Sequence, residues 1–213
     1  MRRVTLTFDN GPTPGVTDAI LDLLRARGIR TTFFVVGQQL REPERRLLAE
    51  RAVAEGHWIG NHTLTHAVQL GETNDPDAPS REIGETQTLL GDLARPERLY
   101  RPYGAGGILG KSLLSPRAVS YLEEGGYTCV LWSSVPHDWD DPKNWVERSI
   151  ADVESQSWTL TVLHDLPGCA LARLPELLDR LGEMQAVIVQ EFPEDCVPIR
   201  RGVVRASIDH LVG

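Results

Sequence analysis

The 213-residue chain is 41% hydrophobic and 24% charged, an ordinary balance for a folded protein, and its length suits one sizeable α/β domain spanning residues 1–213. A formal net charge of −8 and a pI near 5.3 argue against nucleic acid or an anionic membrane as the main partner. No apolar run approaches the length of a membrane span and no apolar segment follows Met1-Arg2-Arg3, so the expected location is the cytoplasm, where three widely spaced cysteines without a C-x-x-C fit free thiols.

The first predicted element is a strand: Val4, Leu6 and Phe8 alternate with Thr5 and Thr7, and Gly11-Pro12 ends the run. Asp9 and Asn10 stand at its carboxyl end, as chemical groups or as a plain Asx turn. Val16 to Arg27 predicts a helix stopped by Gly28, and the β-branched and aromatic Thr31 to Val36 a second strand. Pro43 opens a second helix that ends near Gly56, and a short strand follows from His57 to Gly60. Glu72 to Ser80 reads as a loop, Arg81 to Leu93 as a third helix, and Leu99-Tyr100 as a brief strand. Helices over Pro116 to Glu124, Trp145 to Val153 and Leu174 to Leu181 then alternate with strands at Tyr127 to Trp132, Trp158 to Leu163 and Ala186 to Val189. The segment Ile199 to Val212 has no clear period. Strict alternation implies a parallel sheet with crossover helices, and about seven short-looped units favour a closed or nearly closed barrel over an open sheet.

Unusual polar residues recur just past the predicted strands: Asp9 and Asn10, then His62 and His66, Arg101, Asp138 with Trp139, and His164 with Asp165. In a parallel sheet these ends share one rim, so they can meet. Two histidines four apart, on a helical turn, present both rings on one face; with the oxygen donors of Asp9-Asn10 they form a set that can hold a metal and leave positions open. His164, at a strand end among acids, suits a general acid or a hydrogen-bonded core histidine. Nothing marks Cys169 as an activated nucleophile, and His57, His137 and His210 carry no chemical signal.

These motifs, in this order, resemble the polysaccharide deacetylase family with the NodB-homology domain, carbohydrate esterase family four. The resemblance runs from Thr7 to about Asp165. It rests on Thr7-Phe8-Asp9-Asn10-Gly11-Pro12 (family T-F-D-D-G-P), His62-Thr63-Leu64-Thr65-His66 (H-[ST]-x-x-H), Arg101-Pro102-Tyr103-Gly104 (R-x-P-[FY]-G, one residue short), Val135 to Trp139 (D-x-x-D-W) and Val162-Leu163-His164 (L-x-H). It implies a deformed (β/α) barrel, a divalent metal, usually zinc, and hydrolytic removal of acetyl groups from N-acetylated sugars or oligosaccharides. By the resemblance Asp9 is the general base, His164 the general acid, and Asn10, His62 and His66 the metal ligands. Arg101 orients Asp9, Asp138 tunes His164, and the Tyr103 amide stabilises the oxyanion. Read from its residues alone, Asp138-Trp139-Asp140-Asp141 is either a substrate wall, with Trp139 in it, or a solvated acidic loop. The chain departs from the pattern where Asn10 replaces a ligating aspartate and Val135 an acid. An amide oxygen can coordinate but brings no charge, so the site holds its metal less tightly. Two other readings are a metal-independent hydrolase of a small C–N compound and a carbohydrate-binding protein without turnover. The motifs leave the oligomeric state open.

Overall fold

Strand β1, Arg3–Asp9, is the axis of the molecule. Its alternation sorts two environments: Val4, Leu6 and Phe8 join the core under the surrounding helices, while Thr5, Thr7 and Asp9 are buried on the other face, inside the barrel. Strand β6, Trp158–His164, pairs with all seven residues of β1, from Arg3↔Trp158 to Asp9↔His164. The other edge of β1 is shared. Its last three residues pair with β2, Thr32–Val35, and its first two with β7, Val187–Ile188. The computed structural model describes all residues 1–213.

From β2 the sheet continues through β3, Trp58–Asn61, β4, Leu99–Tyr100, and β5, Thr128–Cys129, every pairing parallel. The crossovers carry α1, Thr17–Ala26; α2, Pro43–Ala54; α3, Thr86–Leu90; α4, Pro116–Glu124; α5, Trp145–Ser155; and α6, Leu174–Glu183. Past β5 the chain bends back to β6, where Ser134 bridges Thr161 and curls the sheet into a deformed barrel. The expectation of about seven units matches the seven parallel strands. The ambiguous C-terminal stretch forms an antiparallel hairpin, β8 at Ile199–Arg200 and β9 at Val203–Val204, on the β5 edge, and Val212 bridges Leu114.

Two expectations are corrected. The helix expected over Arg81 to Leu93 is a π-helical turn at Ser80–Glu85, then α3, then a 3₁₀ turn at Gly91–Leu93. The segment His62 to His66 is an irregular loop, not a helical turn, with Thr63 at φ 65° and His66 at φ 54°. Local side chains outcompete a helical ladder there: Asn61 Oδ1 accepts the Thr63 N–H at 3.0 Å, and Thr63 Oγ1 accepts the His66 N–H at 3.1 Å. All three cysteines are buried free thiols, and no helix is long and apolar enough to cross a membrane.

Candidate active site

The carboxyl ends of the strands open onto a cavity of about 280 Å³. Asp9, Asn10, His62, His66, Tyr103, Trp139 and His164 all line it, with Val135 and Trp132 on its apolar wall. The structure thus brings together seven of the nine candidate site residues. The other two, Arg101 and Asp138, are wholly buried behind the cavity, their side chains bonded to Asp9 and His164 respectively.

Asp9 is 3% exposed, and Arg101 Nη1 donates to its Oδ1 at 2.8 Å. That nitrogen also donates to Thr7 Oγ1 at 2.7 Å, while Nε and Nη2 reach the Val130 and Leu131 carbonyls. The guanidinium lies 4.0 Å over the Phe34 ring. One planar cation is therefore fixed on every side and in turn fixes one carboxylate. The missing residue in the Arg101 motif leaves both contacts intact: Arg101 reaches Asp9, and Tyr103 lines the cavity. Val135, where the family has an acid, faces Gly107.

His62 Nδ1 lies 3.0 Å from the Arg101 carbonyl oxygen, which can only accept, so Nδ1 carries the hydrogen. Burial lowers the His62 pKa, Asp9 opposing it, which keeps the ring neutral. Its Nε2 then offers a bare lone pair 3.4 Å from Asp9 Oδ2. The His66 ring is 4.8 Å from His62 and 4.2 Å from Tyr103, centroid to centroid. Burial, then the neighbouring His62, pushes the His66 pKa down to about 3. Asn10 adopts φ 81°, a left-handed conformation that asparagine tolerates, and its Oδ1 is buried with no hydrogen-bond partner. Two neutral imidazoles and an orphaned amide oxygen at one cavity are a donor set that fits a divalent cation. No three His, Cys, Asp or Glu side chains gather as a metal-binding cluster.

Across the cavity Asp138 grips His164 twice, accepting the backbone N–H at Oδ2, 2.9 Å, and facing Nδ1 with Oδ1 at 2.7 Å. Burial lowers the His164 pKa, but the Asp138 hydrogen bond and the charges of Asp138, Asp9 and Asp165 outweigh it, and the net shift is upward. Trp139 stands edge-on to His164 at 4.8 Å and stacks near His137 at 4.6 Å. The Tyr103 N–H faces no intramolecular acceptor. The apolar wall is also braced, since Trp132 Nε1 donates to the Gly107 carbonyl at 2.8 Å.

Two buried acids lie behind the site: Asp165, which the sequence pairs with His164 at a strand end, and Glu82, which sequence reasoning missed. Asp165 accepts the Gly11 N–H at 2.8 Å and the Thr17 hydroxyl at 2.5 Å, and burial pushes its pKa up to about 6 against those bonds. Its position next to His164 was a visible signal. Glu82, 0% exposed in the π turn, accepts from Leu64 and Thr65; eighteen and seventeen residues separate it from them, and nothing in the sequence marks it.

Residues 1–130 match the family model for polysaccharide deacetylases. A peptidoglycan-N-acetylglucosamine deacetylase of Bacillus cereus is 32% identical over 167 residues, 76% of this chain and 72% of that protein. A chitooligosaccharide deacetylase of Sinorhizobium fredii is 35% identical over 176 residues, 78% of this chain and 72% of that protein. Among solved structures, a family 4 acetyl xylan esterase from Clostridium thermocellum in complex with a cobalt ion superposes with a TM-score of 0.71 at 26% identity, covering 89% of this chain and 88% of the other.

Proposed function

Because the chain belongs to the polysaccharide deacetylase family, a family of hydrolases, we propose that it removes acetyl groups from N-acetylated sugars or oligosaccharides in the cavity bounded by Asp9 and His164. The observation that carries this reading is the opposed pair itself. A carboxylate and an imidazole face one cavity, each held from behind by a buried partner of opposite character, Arg101 and Asp138. The Sinorhizobium and Bacillus relatives are named for such substrates, which supports the sugar class.

Amide hydrolysis needs a proton taken from water as it attacks and a proton given to the departing amine. Asp9 takes the first. Arg101 holds its carboxylate in one orientation. His164 gives the second: Asp138 keeps Nδ1 occupied, so Nε2 is the nitrogen free to serve the amine. The C–O bond to the water oxygen forms, the C–N bond breaks, and acetate and a free amino sugar leave. As the carbonyl becomes tetrahedral, the free Tyr103 N–H is a donor for its oxygen. Val135, Trp132 and Trp139 exclude bulk water around the acetyl group. Asn10, His62 and His66 would hold a divalent cation, which supplies Lewis acidity and lowers the pKa of water when bound.

The test is acetate release from N-acetylglucosamine and chitooligosaccharides by purified protein with added zinc or cobalt. Turnover that Asp9→Ala abolishes is the expected result. Silence of both the wild type and Asn10→Asp sinks the proposal. The neutral Asn10 favours two other readings, each with its own outcome: turnover that survives a chelator marks a metal-independent hydrolase, and saccharide binding without turnover a binding protein.

A further inference from the structure

Glu82 has no place in the chemistry above, yet it is among the most deeply buried acids in the molecule. Its surroundings are specific. Oε2 accepts the Leu64 N–H at 3.1 Å and the Thr65 N–H at 3.0 Å, and both carboxylate oxygens lie 3.1 Å from Thr65 Oγ1. The one cation in reach, Arg81, keeps its Nε 3.9 Å away and pairs instead with Asp75 at 2.8 Å near the surface. The carboxylate is therefore satisfied almost wholly by the loop between His62 and His66.

That loop needs holding. It leaves β3 without helical or strand pairing of its own, so the Leu64 and Thr65 N–H groups need an acceptor from elsewhere. Thr63 and His66, on either side of that pair, both adopt left-handed backbone, uncommon outside glycine and least favourable for a β-branched threonine. Such a conformation persists only where surrounding contacts dictate it. Asn61 Nδ2 donates to the Ile83 carbonyl at 2.8 Å, tying the start of the loop to the same π turn that presents Glu82. Thr86 Oγ1 donates to the Glu82 carbonyl at 2.9 Å and steadies that turn. Single π turns within helices occur frequently at functional sites.

We infer that Glu82 is a positioning residue that fixes the separation and orientation of the His62 and His66 rings, so that both can serve one cation. The inference rests on the cation reading of the proposed function for its consequence, though not for its geometry. A carboxylate suits the task because it only accepts and can take several donors at once. Outer partners of this kind typically set metal affinity by roughly tenfold to a hundredfold.

The experiment uses the full chain and the variant Glu82→Gln, which keeps the volume and replaces one accepting oxygen with a donor. In metal-free protein, amide hydrogen exchange at Leu64 and Thr65 is expected to accelerate by about tenfold or more, while amides in β1 and β6 stay protected. Zinc affinity, read by competition with a chelating dye, is expected to fall roughly tenfold to a hundredfold. Ile150→Val, a core change far from the loop, is the control: it lowers the melting temperature and leaves zinc affinity unmoved. Where Glu82→Gln does not fold, Thr65→Ala removes the hydroxyl, which bonds Glu82 and accepts the Ala67 N–H, but keeps both backbone bonds to the carboxylate, and the same two readouts are expected to move in the same direction by less. Exchange at Leu64 and Thr65 equal to wild type, or an affinity change no larger than that of Ile150→Val, overturns the inference. If the wild type binds no zinc, the cation reading fails, and the exchange rates alone decide whether Glu82 holds the loop.

Discussion

Asp138 and His164 illustrate how one buried contact sets a proton's availability. The imidazole is 12% exposed at its side chain, and burial by itself would drive it neutral. The Asp138 carboxylate reverses that sign. A histidine whose folded pKa is raised above 6.5 contributes stability that is complete below its unfolded value and is lost as pH rises through the folded one. The same titration controls catalysis, because the leaving amine needs the protonated form: kcat/KM is expected to fall on the alkaline side as His164 loses its proton. Asp138→Asn keeps the shape and removes the charge, so burial regains control and the His164 pKa drops. The alkaline limb of the pH profile is then expected to move to lower pH, with kcat at neutral pH reduced by about tenfold to a hundredfold, part of the roughly 10²–10⁴-fold that general acid catalysis contributes. A limb that stays where it is in the wild type removes His164 from the role of acid.

Two loops form the floor of the site, and they are welded to each other as much as to the sheet. The loop after β1 delivers Asn10, the loop after β6 delivers Asp165, and Asp165 takes the Gly11 N–H and the Thr17 hydroxyl. Thr17 Oγ1 in turn accepts the Thr13 N–H at 2.7 Å, so one acid organises residues 11 to 17. The contact is tight because position 11 has no side chain: a Cβ there would fall on the Asp165 carboxylate. Gly11→Ala is expected to cost roughly 2–3 kcal/mol, the range of overpacking in a rigid interior. It is also expected to remove activity, because Asp165 can yield only by releasing the loop that carries Asn10. Urea denaturation gives the first quantity, and acetate release the second. An alanine variant with wild-type stability would show that the clamp is slack. At this scale the sequence was legible where periodicity is local. The alternation of Val4, Leu6 and Phe8 with Thr5, Thr7 and Asp9 foretells both faces of β1 and therefore which way Asp9 points. It was illegible where partners are remote. The spacing of His62 and His66 suggested a helical turn, but the acceptors that pull the backbone into a loop are Asn61 next door and Glu82 far along the chain. Arg101 and Asp138 could be named from their motifs, whereas their complete burial behind the cavity depends on where β5 and β6 lie.

Across the whole molecule, the alternation of strand and helix was enough to foresee a curled parallel sheet, since each crossover of that kind returns the chain in the same direction. The shared edge of β1, divided between β2 and β7, and the antiparallel hairpin beyond β5 were not foreseeable. Both depend on which edges remain free after the longer strands have paired. The barrel places the ends of β1 and β3 at one mouth with β2 between them, and the candidate cation donors divide between those two ends: Asn10 follows β1, His62 and His66 follow β3. A cation held by all three would span two loops, adding a direct link to the ties that Asp9 and Arg101 already make to His62. It would bind the folded chain and not the unfolded one, and so must raise stability by mass action. At a hundredfold excess over the dissociation constant the gain is about 2.7 kcal/mol, or roughly 5–11 °C in Tm for a chain of this size. Thermal denaturation of chelator-treated protein with and without zinc is expected to show that rise, and renewed chelation to reverse it. His66→Ala is expected to abolish most of the rise, since it removes one donor. Asn10→Asp is expected to produce the same rise at about a tenth of the zinc concentration or less, because a full charge replaces a dipole and tenfold is only about 1.4 kcal/mol. A wild-type Tm indifferent to zinc, cobalt and manganese would mean that the two loops are held together by protein contacts alone and that the orphaned Asn10 oxygen serves something other than a cation.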